Sequence, residues 1–165
     1  MSMVKFMSIK AQTLTYDFFI ATSLLLLLLI ATFFLFYYKI ENIKEEKEKS
    51  EMVNVLIYAS DIWFKEGYPK YWNVDNVIEI GLSNNNQINT TKVRLMEEMG
   101  YQKLASLLSL GTFNVNYFVY SQNGSLIYSF PNSSFDNVKN LLVLERIAIW
   151  NDSVVKVRTL VWQKV

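Results

Sequence analysis

The 165-residue chain contains no cysteine and no histidine. These two absences exclude a disulfide framework, a Cys/His zinc site, a thiol nucleophile and a Ser-His-Asp triad, since each requires one of the missing side chains. Proline is almost as scarce, with two residues, and there are five glycines. Long stretches therefore lack any residue that interrupts a helix. Charge of one sign is not in excess either: 16 basic and 15 acidic residues leave a formal +1. The basic residues are scattered and form no stripe that could track a phosphate backbone, so nucleic acid is not an expected partner.

What the chain does have is 52% hydrophobic residues, unevenly placed. Phe18 to Tyr38 is an uninterrupted run of 21 residues without charge, proline or glycine. As a helix it spans about 31 Å at 1.5 Å per residue, matching a hydrocarbon core of about 30 Å. The run is too long for the apolar core of a secretory signal peptide, and Lys39-Ile40-Glu41-Asn42 follows it with no A-x-A site. Residues 1–16 carry Lys5 and Lys10 and no acid, whereas residues 39–51 mix four Lys with five Glu. Counting Lys and Arg alone leaves orientation open. The later sequence points to an exported domain and hence to a cytoplasmic N-terminus. It is rich in Asn, Ser and aromatics, with sequons at Asn89, Asn123, Asn132 and Asn151 as candidate N-glycosylation acceptors. About two sequons would arise by chance at this composition.

Beyond Tyr38 the chain turns polar without a breaker until Gly67. Glu45 and Lys49 are an i,i+4 pair, and Met52, Val55, Leu56, Ala59, Ile62 and Trp63 share one helical face. The expectation is a single helix over residues 12–66, with a transmembrane part at 18–38 and an amphipathic end packed on a domain. Residues 67–165 read as an extracytoplasmic head, giving an α+β class with a small, mainly antiparallel sheet. Within it, Val77 to Leu82 alternates as a strand, Ser83 to Asn86 is a loop, and Thr90 or Thr91 caps a helix weakened at Gly100. Asn123-Gly124 and Asn151-Asp152-Ser153 close two hairpins, Val115–Tyr120 with Leu126–Phe130 and Leu142–Trp150 with Val154–Trp162.

Lys10-Ala11-Gln12-Thr13-Leu14-Thr15-Tyr16-Asp17-Phe18-Phe19 precedes and opens the apolar run. It resembles the class III signal peptide of archaeal type IV pilin-like proteins: a short basic leader, a Gln, hydroxyl residues, an acid, an aromatic, then an apolar helix. GYPKYWNVDNVIEIGL is similar to a segment of methanogen pilin-like heads. The resemblance implies cleavage by a prepilin peptidase in the Lys10, Ala11, Gln12, Thr13 stretch, removing residues 1–11 or 1–12. With Gln12 first, Asp17 falls sixth and Tyr16 fifth, where the family has its acid. With Thr13 first, Asp17 is fifth. The resemblance further implies that Asp17, beside Tyr16, pairs with the new α-amino group of a neighbouring subunit. The implied partners are other pilin subunits in a homo- or hetero-filament, a pilus assembly platform and its ATPase, and the membrane. Cleavage before Gln12 removes two lysines and leaves 14 basic against 15 acidic residues.

No catalytic residue, metal or cofactor is expected. Glu97 and Glu98 are adjacent and so diverge by about 100° on a helix. Asp75 and Asn76 match no EF-hand spacing and read as a solvated turn. The expected function is a pilin-like structural subunit, stored in the cell membrane as a precursor and exposed at the surface after processing. A membrane-anchored extracytoplasmic binding module that does not polymerise is the alternative.

Overall fold

The computed structural model describes the backbone of residues 3–131 and 138–164 and the side chains of residues 16–131 and 138–163. The chain divides into two units, residues 1–47 and 48–165. Helix α1 occupies Met3–Asp61. Its first part is the long apolar helix, and the second unit contains the end of α1, a second helix and a mixed sheet. An α+β class is therefore observed.

In the second unit the amphipathic face expected at the end of α1 is the one that is buried. Met52, Leu56, Ala59, Ile62 and Trp63 all lie in the core. The helix stops at Asp61, several residues before the first glycine, and carbonyls just beyond it bond to the 82–83 segment. Ile62 O accepts from Leu82 N at 2.7 Å and Lys65 O accepts from Ser83 N at 2.9 Å. The Tyr117 hydroxyl donates to Ala59 O at 3.1 Å, satisfying inside the core a carbonyl near the helix end.

Residues 67–81 form a closed loop, not the expected strand. Val77 to Leu82 makes one isolated bridge, Glu79 to Tyr68. The apolar alternation there serves packing within the loop: Trp72, Ile80 and Leu82 are buried, and Trp72 Nε1 donates to Gly81 O at 2.9 Å. The loop is pinched where two glycine backbones touch. A Cβ on Gly81 would stand 2.2 Å from Gly67 N, and Gly67 has φ +78°. Ser83 to Asn86, expected as a loop, contributes strand β1 (Ser83–Asn84), which pairs with β2 (Gln87–Ile88). Asn85 and Asn86 turn between them at φ +48° and +64°, a left-handed conformation that Asn tolerates well.

Helix α2 (Thr90–Leu107) is capped by Asn89, whose Oδ1 accepts from Lys92 N at 3.1 Å; neither threonine supplies the cap. It is interrupted at Gly100, where φ is +75° and ψ 164°. Lys92 is 5% exposed, and its ammonium donates to Glu66 O and Ser83 O, tying α2 to both ends of the pinched loop. Burial lowers its pKa.

Both hairpins form as expected: β3 (Phe113–Ser121) with β4 (Leu126–Phe130), and β5 (Val138–Trp150) with β6 (Ser153–Lys164). Asn151 and Asp152, at φ +50° and +59°, make the second a two-residue turn. The sheet order is β1-β2-β5-β6-β3-β4. Val115, Tyr117 and Val119 face the core beside Val161, Thr159 and Val157, their respective partners on β6. Trp63 lies at 5.6 Å from Tyr117 and 5.9 Å from Tyr128, both edge to face.

Gly81→Ala should therefore destabilise the second unit by about 3 kcal/mol, since backbone rather than a side chain must move, while Tyr117→Phe should cost about 1–3 kcal/mol through the orphaned carbonyl. All four tryptophans lie in this unit, so thermal unfolding of the full chain in detergent, followed by near-UV circular dichroism, checks both values. Burial raises the pKa of Tyr101, Tyr117 and Tyr128 above 10.0. An acid whose folded pKa is raised stabilises fully below its unfolded pKa, and that contribution is lost as pH rises through the folded value. An alkaline titration should show phenolate absorbance from these residues appearing together with loss of the near-UV signal; early, independent ionisation would contradict it.

Candidate functional site

The candidate site is the N-terminal part of α1, whose composition makes it apolar on every side. From Phe18 to Tyr38 the large hydrophobic side chains are exposed all round the helix: Leu24 to Leu29 in sequence, and Phe33, Phe34, Leu35 and Phe36 after them. Described from Tyr16, the helix is long and apolar enough to cross a membrane, and none of its apolar window is buried within the chain. It fits a transmembrane helix and suggests membrane association.

The serine and threonine hydroxyls in this segment are turned inward. Thr22 Oγ1 donates to Phe18 O at 2.5 Å, Ser23 Oγ to Phe19 O at 2.7 Å, and Thr32 Oγ1 to Leu29 O at 2.8 Å. Each of these hydroxyls bonds back to the preceding turn, which leaves exposed Tyr37 and Tyr38, at the end of the run, as its outward-facing side-chain donors. A single charge interrupts the pattern: Asp17 stands exposed at the start of the run, next to exposed Tyr16. Carried to mid-membrane it would cost about 2.5–3.5 kcal/mol, so its stable places are the interface or beside a cation. The side chains of Lys10, Ala11, Gln12 and Thr13 lie outside the described residues.

The sequons fall at turns and caps. Asn89 is the cap of α2, and Asn151 Oδ1 accepts from Thr90 Oγ1 at 3.3 Å, placing the two asparagines around one threonine. Trp150 Nε1 donates to the same hydroxyl at 2.9 Å. Asn123 is exposed in the first hairpin turn, its Oδ1 accepting from Ser125 N at 3.0 Å. Asn132 lies outside the described residues. Sequence reasoning found these asparagines as sequons but assigned the α2 cap to the threonines beside one of them.

The acidic candidates are used structurally. Glu98 pairs with Arg94 at 3.5 Å, one turn away. Around Asp75, Asn73 Oδ1 accepts from the backbone N–H groups of Asp75 and Asn76, and Asn76 Oδ1 accepts from Asn73 N. This is a self-contained turn. No group of three or more His, Cys, Asp or Glu side chains able to hold a metal exists among the described residues.

Against protein-family models, curated proteins and solved structures, the chain finds no match. The membrane fit of α1 therefore stands on its own physics. Replacing Leu27 by Arg, near the centre of the run, should raise the cost of insertion by about 2.5–3.5 kcal/mol. Carbonate extraction of cell membranes should then release the variant where the parent chain is retained.

Proposed function

We propose that the chain is a structural subunit, a pilin or a minor pilin or pseudopilin, of an archaeal type IV pilus-like surface filament. In this reading it is made as a membrane precursor with a cytoplasmic N-terminus, cut by a prepilin peptidase near Gln12, and assembled through the helix that begins there. The observation that carries the reading is the pairing of one acid, Asp17, with an apolar helix whose serine and threonine hydroxyls fold back on its own backbone. Such a helix leaves lipid at low cost only when similar helices replace the acyl chains. Asp17 then needs a cation, and cleavage creates one, the new α-amino group five or six residues away in sequence. A neighbouring subunit supplies that amine across the contact.

Removal of Lys5 and Lys10 with the leader deletes the basic residues before the run. The cytoplasmic retention they provide is lost at the moment the amine is exposed. The second unit supplies the outward-facing part, held by the end of the same helix.

Mass spectrometry of the mature protein, expressed beside a prepilin peptidase, tests the processing step. A terminus at Gln12 or Thr13 is expected, and an intact Met1 or Ser2 in membranes would make the chain a plain anchor. Asp17→Ala should be processed and inserted normally yet be absent from sheared filaments; filaments containing it at the parent level would remove Asp17 from assembly.

A further inference from the structure

Strand β5 is the longest in the sheet and one of its edges is open. Its neighbour β6 pairs with it along its length apart from a bulge at Lys139, but on the other side, among the described residues, the ladder continues only to Ile88 of β2, at Trp150. Trp150 and Ser153 close a two-residue turn, and hydrogen-bonding direction alternates along an antiparallel ladder. The alternation leaves the backbone groups of Leu141, Val143, Glu145 and Ile147 pointing to the open edge. The same residues project from the face of the sheet away from the core. Leu141 is 47%, Val143 48% and Ile147 74% exposed. Unpaired ladder groups and bare apolar side chains thus coincide on the same residues.

Folded proteins usually guard such an edge with charge. Here both charges in the middle of the strand are neutralised from within. Arg146 pairs with Asp61 at 2.5 Å and lies over the Phe64 ring at 3.9 Å. Glu145 is held by Arg158 at 2.5 Å and by Lys156 at 3.4 Å. An approaching strand meets no free charge there.

The strand is also complementary to itself. We propose that β5 pairs edge to edge with β5 of a second copy, antiparallel about a two-fold axis at Leu144, joining the two sheets into one. Residues 141–147 then pair throughout. Leu141 faces Ile147 of the second copy, twice by symmetry, Leu144 faces its own counterpart, and no two like charges stand directly opposite. Shifting the axis to Glu145 or Arg146 would set like charges against each other. A second copy is favoured over a foreign peptide because α1 fits a membrane anchor, and anchored copies share one surface at high effective concentration. The proposal does not depend on filament assembly: a plain anchored module would dimerise in the same way.

Charge pairs installed at Leu141 and Ile147 test it in the full chain, purified in detergent and measured by sedimentation. These positions are six residues apart on one strand, about 20 Å, so they meet only between copies. The parent chain is expected to be dimeric. L141K with I147K sets lysines opposite each other twice and should weaken the dimer about tenfold or more. L141K with I147E sets Lys against Glu twice and should restore it. A monomeric parent chain, or two double variants that associate alike, would overturn the pairing. A cross-linking arm exploits the absence of native cysteine. L141C with I147C should give covalent dimers with a short bis-maleimide where L141C alone does not, and equal yields from the two would also overturn it. Near-UV circular dichroism confirms that each variant is folded.

Discussion

A buried hydrogen bond, from the Tyr117 hydroxyl to the Ala59 carbonyl, joins the end of the long helix to strand β3 of the sheet. A helix end brings carbonyls without intrahelical partners, and in a dry core each costs about 1–3 kcal/mol if left unpaired. Meeting that need from an interior strand fixes where α1 can stop and which of its faces can be covered. Trp63, directly after the helix, then takes its place between Tyr117 and Tyr128, and Ile62 and Lys65 offer their carbonyls to Leu82 and Ser83. The pinched loop and α2, tied in by Lys92, follow from that placement.

How much of this could be read from the sequence varied with the range of the interactions involved. The two hairpins were legible because Gly124, Asn151 and Asp152 supply positive φ locally, and their strands alternate against a single core face. The buried face of α1 was legible from its 3,4 spacing. Val77 to Leu82 was not, because its alternation arises from a loop folded on itself around Trp72, and the Gly67–Gly81 contact that closes the loop joins residues with no local signal of their pairing. The cap of α2 went to Asn89 over Thr90 because the threonine hydroxyl is occupied by Trp150 and Asn151 from a distant hairpin.

For the candidate site the balance is different. The length, composition and lone acid of the apolar segment are properties of consecutive residues, so the sequence shows nearly all of them. The structure adds where the hydroxyls go. The open edge of β5 lies at the opposite extreme, since a strand's position within a sheet depends on which partners the rest of the chain leaves it.

The inward hydroxyls of Thr22, Ser23 and Thr32 have a consequence for how this helix meets other bodies. With these donors spent on its own backbone, the segment from Phe18 to Phe36 presents the same greasy cylinder at every azimuth and has no preferred side. Neighbours can approach from any direction, and rotation or sliding along the axis meets little resistance. Any fixed stagger between such cylinders must come from the one place where the symmetry is broken, the carboxylate at the mouth of the run.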